Sequence, residues 1–89
     1  MKHFLILVYD VENLEMVKNG LSQYGEFIVF FEKNFLFETN LNSAQEIYNH
    51  IEKTNQINIV IIEMGTINAG SYWGFANKEL WKWLKEREQ

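Results

Sequence analysis

The order in which apolar patterns follow one another constrains this chain more than any single residue does. Continuous or alternating apolar runs predict strands, and apolar residues recurring every three or four positions predict helices. The segments are, in order, a strand at 4–10, a helix over 14–24, strands at 26–31 and 35–39 around a Lys33-Asn34 turn, a helix opening at 43, and a strand at 57–64. The sequence therefore predicts strand, helix, strand, strand, helix, strand.

That order is typical of the split βαβ arrangement of a ferredoxin-like sandwich. The predicted class is α+β, with a four-stranded antiparallel sheet, two helices on one face and an additional C-terminal helix. With 89 residues the chain has room for one hydrophobic core. We therefore expect a single domain over 1–89, with the βαββαβ core at 3–64 and a C-terminal loop and helix at 65–88.

Local signals mark where the two helices begin and end. Asp10 precedes the first helix, and Gly25 after Tyr24 is a plausible C′ residue that stops it. Ser43-Ala44-Gln45-Glu46 has the S-x-x-E form of a capping box, so the second helix is expected to begin there.

The strands are apolar on both of their alternating faces, although two helices cover only one face of a sheet. Two covers are available for the second face. One is the C-terminal segment, in which Trp73, Leu80, Trp83 and Leu84 follow helical spacing and predict a helix ending near Arg87. The other is a second copy of the chain. We expect both, and hence a homodimer, with the interface at Phe30, Phe75 and Trp81; the alternative is that these aromatic side chains are partly exposed on a monomer.

Composition narrows the classes of partner and location. The chain has no cysteine, which excludes disulfides and thiolate metal sites. Its net charge is −4, and the basic residues near the end alternate with glutamates, so no basic patch is evident and nucleic-acid binding is weakly indicated. No apolar run reaches the roughly 20 residues that span a bilayer, and Met1-Lys2-His3-Phe4 is a poor signal n-region, so we expect no membrane and a cytoplasmic protein.

Several short motifs resemble those of one protein family. They are Tyr9-Asp10, Tyr24-Gly25, the segment Ser43 to Tyr48, Tyr72-Trp73-Gly74, and the segment Lys78 to Leu84. Together they are similar to the SinR-like group of small bacterial ferredoxin-fold proteins, which is related to a CRISPR-associated endoribonuclease. The similarity covers nearly the whole chain for the SinR-like group, and only the βαββαβ core for the nuclease.

The resemblance implies a homodimer packed through its sheets, with the aspartate that ends the first strand near the dimer axis. In the CRISPR members the residue matching Asp10 is assigned to metal-dependent phosphodiester cleavage, although many members act as scaffolds that hold DNA. This chain departs from that pattern, because it has no basic cluster beside Asp10 and its tail is helical where the nuclease adds a strand.

Asp10 is the candidate catalytic residue. Two copies of it at a two-fold axis, with Glu12 as a further ligand, would suit Mg²⁺, which prefers carboxylate oxygens and activates water for attack on a phosphodiester. The simpler interpretation is that Asp10 caps the helix, a role worth about 1 kcal/mol.

Other polar motifs favour structural roles. His3 and His50 are far apart in sequence and match no metal-binding spacing. The loop Gly65 to Gly70 lacks the lysine of a phosphate-binding loop, and a connecting role is favoured over nucleotide binding. Trp73, Trp81 and Trp83 are able to stack on bases, but helical spacing favours packing for Trp73 and Trp83.

The function predicted from these observations is a non-catalytic, homodimeric interaction module in a defence or mobile-element context, which requires no cofactor. The alternative is a Mg²⁺-dependent nuclease that uses Asp10 from both subunits.

Overall fold

The computed structural model describes residues 1–51 and 57–89, and the predicted core therefore includes five residues, 52–56, that lie outside the described part. Four strands and three α-helices follow one another in the predicted order. They are β1 (Lys2–Val8), a 3-10 turn (Val11–Asn13), α1 (Leu14–Ser22), β2 (Gly25–Phe30), β3 (Asn34–Thr39), α2 (Ala44–Ile51), β4 (Ile59–Met64) and α3 (Lys78–Glu86).

The strands form one antiparallel sheet in the order β2-β3-β1-β4. β1 and β3 are central, so each strand–helix–strand unit has one strand inserted between its two strands, which is the split βαβ connection. The predicted ferredoxin-like α+β fold with a C-terminal helix is confirmed.

The first face of the sheet packs under α1 and α2. Alternating residues of the central strands point to this side, because successive strand residues point to opposite faces. The fully buried cluster comprises Phe4, Ile6, Val8, Val17, Leu21, Phe35, Phe37, Ile47 and Ile51. This cluster is the main hydrophobic core.

The second face packs under α3. A separate buried cluster joins this helix to the sheet and to the preceding loop; its members are Leu36, Ile67, Leu80, Trp83 and Leu84. The predicted C-terminal cover is thus confirmed, except at its start. Trp73 is not part of the helix: α3 begins at Lys78, where the side chain of Asn77 accepts a hydrogen bond from the Leu80 N–H at 3.0 Å. Trp73 is 98% exposed, so its predicted packing role is wrong.

The β2–β3 hairpin turns one residue earlier than the apolar pattern predicts. β2 ends at Phe30, and Phe31 and Glu32 adopt left-handed φ angles of 49° and 68°. Phe31 therefore lies in the turn, where it is 65% exposed, and not in the strand. Left-handed backbone is costly for a bulky residue, so tertiary packing outweighs local preference here.

Gly25 is the first residue of β2, not a left-handed C′ residue ending α1. A Cβ atom at this position would lie 1.9 Å from the backbone oxygen of Glu38 on β3. Glycine is required here by the close approach of two strands. The predicted capping box is confirmed for Ser43, whose Oγ accepts from the Glu46 N–H at 3.1 Å, while the Glu46 carboxylate accepts from the Asn42 N–H at 3.0 Å.

Replacing Gly25 with alanine is expected to lower the free energy of unfolding by about 1–3 kcal/mol, because the two strands must move apart to admit the methyl group. Urea denaturation followed by tryptophan fluorescence measures this loss. Gly65→Ala is the matched control, since a Cβ there meets nothing within 4 Å. Equal stability of the two variants would contradict the close approach.

Across residues 1–51 and 57–89, no helix has the length and apolar character needed to span a bilayer.

Candidate functional site

Asp10 lies at the end of β1 and does not cap a helix with its side chain. Asp10 occupies the N-cap position of the 3-10 turn, where a capping side chain would accept a hydrogen bond from a backbone N–H. The Asn13 N–H donates to the backbone oxygen of Asp10 instead, at 3.0 Å. The carboxylate instead accepts from the Asn58 side-chain amide at 3.4 Å. The capping role expected of this side chain is therefore wrong, and the carboxylate is partly exposed beside the start of β4.

Glu12 follows Asp10 in the 3-10 turn and is exposed. Within the described ranges, no three acidic, histidine or cysteine side chains come together as a metal-binding group. Asp10 and Glu12 of one chain supply two carboxylates, whereas a Mg²⁺ site usually combines one or two carboxylates with waters and substrate phosphates. The predicted shared Mg²⁺ site depends on a second copy and stays a prediction.

The loop from Gly65 to Gly70 uses its backbone donors internally. The N–H of Asn68 donates to Ser71 Oγ at 2.9 Å, and the N–H of Gly70 donates to Asn68 Oδ1 at 3.1 Å. Ile67 is buried against α3 and anchors the loop. These N–H groups do not converge on an outside point, as a phosphate cradle requires.

The two histidines lie on opposite sides of the sheet. The His3 ring packs edge-on against Trp83, with a centroid separation of 6.3 Å, whereas His50 lies over Tyr24 at 4.1 Å on the side of α2. They cannot bind one ion together, and each is used in packing.

A cluster of charged side chains ties the end of α3 to the sheet. Arg87 Nη2 donates to Glu26 Oε2 at 2.9 Å, and Arg87 Nε lies 3.1 Å from Glu38 Oε2. The Nε–H has no well-aligned acceptor among the described residues, so its contact with Glu38 is one of charge. The guanidinium lies 3.7 Å from the ring centroid of Trp83, and His3 Nε2 donates to the same Glu38 oxygen at 2.9 Å. These contacts explain how a C-terminal helix stays fixed on the sheet.

Tyr72 is linked to the chain end by a hydrogen bond that its hydroxyl donates to Glu88 Oε1. This hydrogen bond, together with burial and the negative charge of Glu88, raises the pKa of Tyr72 above its usual value of 10.0. Because the folded-state pKa of Tyr72 is raised, the stability that its hydrogen bond to Glu88 contributes is fully present below the pKa of an unfolded tyrosine. It is lost as the pH rises through the higher folded-state pKa.

Glu88→Gln is expected to lower the pKa of Tyr72 towards that of an ordinary tyrosine. Titration of ¹³Cζ-labelled tyrosines by NMR resolves each of the four tyrosines and measures the shift. Glu79→Gln, which changes an exposed glutamate on α3, is the control and should leave the Tyr72 titration unchanged. An unchanged titration in Glu88→Gln would contradict the hydrogen bond.

α3 covers only part of the second face of the sheet. Leu7, Val60 and Ile62 point to this side and are 37%, 54% and 47% exposed. Val60 pairs with Leu7 and Ile62 pairs with Leu5 in the β1–β4 register, so these side chains are neighbours. We call Leu7, Val60 and Ile62 the bare sheet half; it adjoins the unpaired edge of β4.

The predicted interface residues lie elsewhere. Phe30 packs against the α3 cluster, and Trp81 stacks on Tyr72 at 5.9 Å, so both are partly buried within the chain. Phe75 is 96% exposed in the loop before α3. Sequence reasoning identified the apolar second face but not which half remains uncovered, because that depends on where α3 lies.

Comparison of the chain with protein-family models, with curated proteins and with solved structures found no match.

Proposed function

We propose that this chain is a homodimeric interaction module that pairs through the β4 edge. The observation that carries the proposal is the bare sheet half beside β4, an edge strand whose outer side pairs with no other strand in the described part of the chain. The sequence of β4, IVIIEM, contains one charged residue and no proline. Natural edge strands are usually protected by charges, proline or a covering element, because an apolar edge otherwise pairs with another strand.

The opposite edge of the sheet differs from the β4 edge. β2 carries Glu26, which is bound by Arg87 from the end of α3. On the second face of the sheet, the β2 edge is thus associated with a charged pair and a neighbouring helix, whereas the ion pair of β4, between Glu63 and Lys2 at 3.8 Å, lies on the first face. This asymmetry favours one pairing edge per chain, which gives a closed dimer and not an open polymer.

A second copy suits the β4 edge because an antiparallel strand can pair with itself across a two-fold axis. Directly opposite residues of an antiparallel pair point to the same face, so a two-fold centred on Ile61 places Ile62 opposite the partner's Val60. In the same register Glu63 lies opposite an isoleucine of the other copy, so the two Glu63 side chains do not face each other. The pairing would form an eight-stranded sheet and bring the exposed Val60 and Ile62 side chains of the two copies into contact.

Cysteine cross-linking tests this arrangement directly, because the natural chain has no cysteine. Opposite residues in an antiparallel pair have Cα atoms about 4.5–5.5 Å apart, which lies within the range for a disulfide. With the two-fold at residue 61, Ile61 lies opposite its own copy, so Ile61→Cys is expected to form a covalent dimer under mild oxidation. Val60→Cys or Ile62→Cys would do so only if the two-fold axis passed through that residue instead. Absence of cross-linking in all three would contradict the edge pairing.

The rival function is a Mg²⁺-dependent nuclease with Asp10 from both subunits, favoured by one observation: the Asp10 carboxylate is not used as a helix cap. The two proposals conflict geometrically. Asp10 contacts Asn58, and with the two-fold at residue 61 the two copies of Asn58 are six residue steps apart along β4, or about 20 Å. An edge-paired dimer therefore cannot bring both carboxylates to one ion.

Two measurements separate the rival from the interaction module. Asp10→Cys should cross-link to its own copy only if the aspartates meet at the axis. Labelled RNA and DNA incubated with the protein and Mg²⁺ should be cleaved by the natural chain and not by Asp10→Asn if the rival is right. The interaction module predicts no Asp10-dependent cleavage and no Asp10→Cys cross-link.

A further inference from the structure

Helix α3 separates its charges by face, although lysines and glutamates alternate along its sequence. Three exposed lysines follow the i, i+4, i+7 spacing that places side chains along one side of a helix. They lie opposite the buried residues of the helix, which pack on the sheet. We call them the lysine stripe; its members are Lys78, Lys82 and Lys85.

The positive charge of the lysine stripe is not neutralised within the described part of the chain. The ion pairs among the described residues involve other basic side chains. With about 3.6 residues per turn, Glu79 and Glu86 fall on the flank of α3 nearer Trp83, and Trp81 falls on the opposite flank. Glu79 and Glu86 stand three and four residues from Lys82 and offset part of the repulsion among the lysines, but they lie to one side of the stripe.

Exposed aromatic rings lie next to the lysine stripe on the Trp81 flank. Trp73 and Phe75, in the segment that leads into α3, are 98% and 96% exposed. A shallow cavity of ≈ 260 Å³ is lined by Tyr72, Trp73, Gly74, Trp81 and Lys85, so it connects the Trp73 ring to the end of the stripe. Phe75 lines a neighbouring cavity together with Trp73 and Trp81. Rings held this far into solvent contribute nothing to the core of the chain.

We propose that the lysine stripe and the rings of Trp73 and Phe75 bind single-stranded nucleic acid. Proteins that bind single strands without sequence preference combine positive charge along the backbone with aromatic rings on which bases stack. An acidic peptide would use the lysines but gain little from two projecting rings, which offer open faces and no groove. The chain's net charge of −4 restricts binding to this surface. The proposal is independent of the dimer, because it uses neither β4 nor the bare sheet half.

The experiment measures fluorescence anisotropy of a labelled oligothymidine about 15 nucleotides long, which is within the footprint of known single-strand sites. Trp73→Ala and Phe75→Ala should each weaken binding about ten-fold, as expected for loss of one stacked base. Both side chains are nearly fully exposed, so the variants are expected to fold normally, which circular dichroism checks.

The charge contribution is tested by the salt dependence of the same binding. Three neutralised phosphates predict a slope of log K against log salt of about −2 for a single strand. The triple variant Lys78→Gln/Lys82→Gln/Lys85→Gln should flatten that slope, whereas Lys18→Gln on α1, on the other side of the sheet, should leave it unchanged.

The proposal is overturned if the oligothymidine does not bind at low salt, or if binding is indifferent to Trp73→Ala and Phe75→Ala. It is also overturned if polyglutamate or anionic lipid vesicles displace the oligonucleotide as well as unlabelled oligothymidine does. Either competitor would show that the surface recognises negative charge and not bases. Equal binding of duplex DNA would likewise contradict stacking on exposed bases.

Discussion

Replacing Ile62 with lysine is expected to convert the proposed homodimer into a monomer at micromolar concentration. Ile62 is 47% exposed in the chain alone and would contact the partner's Val60 in the proposed pairing. Each substitution counts twice in a symmetric dimer. Loss of the apolar contact, with a charge brought to the interface, should cost about 3 kcal/mol per dimer, a rise of about 100-fold in the dissociation constant. Sedimentation equilibrium measures this change.

Two matched variants make the result specific. Met16→Lys changes an apolar residue that is 37% exposed on α1, on the far side of the sheet, and should leave the dimer intact. Trp81→Glu tests the interface predicted from sequence at Phe30, Phe75 and Trp81. If Trp81→Glu dissociates the dimer and Ile62→Lys does not, the interface lies at the α3 side and the β4 proposal is wrong.

Arg87→Ala is expected to lower the free energy of unfolding by about 2–4 kcal/mol, because removing one member of a mostly buried ion pair leaves the Glu38 carboxylate with only its hydrogen bond from His3. The Arg87 side chain is 12% exposed and its partner Glu38 is 19% exposed, so solvent screens this pair little. Glu26 is 76% exposed and should contribute little to the loss. Urea denaturation, followed by the fluorescence of Trp83 beneath the guanidinium, measures the effect.

Arg87→Lys separates charge from shape at the same position. Lysine keeps the positive charge but lacks the planar fork that contacts two carboxylates and stacks on an indole ring. It should therefore recover only part of the lost stability. Lys82→Ala, an exposed change on α3, should shift stability by no more than about 0.5 kcal/mol. A loss in Arg87→Ala as small as that of Lys82→Ala would show that the charged cluster does not hold α3.

The arrangement of strands was predictable because the order of strand and helix patterns along the sequence is that of the split βαβ arrangement. Two boundaries, the end of β2 and the start of α3, were not predictable from the apolar pattern. The apolar pattern continues through Phe31, but the hairpin turns there with left-handed backbone. Helical spacing runs back from Leu80 to Trp73, whereas Asn77, a good N-cap residue, marks the true start of α3. That cap was the local signal that would have corrected the prediction.

The contacts that define the candidate surfaces were less accessible from the sequence. Arg87 and Glu26 are separated by 61 positions, so no local pattern links them. The need for glycine at residue 25 arises from the backbone of another strand. By contrast, the i, i+4, i+7 spacing of the three lysines was enough to predict the lysine stripe. The stripe was not identified from the sequence because lysines and glutamates alternate along the chain.

Sedimentation equilibrium of the natural chain at micromolar concentration tests the central claim, that the β4 edge pairs with the β4 edge of a second copy. The account predicts a mass twice the 10.7 kDa of one chain. It also predicts a shift to one chain's mass in Ile62→Lys but not in Met16→Lys. A natural chain that sediments as a monomer throughout that range would contradict it.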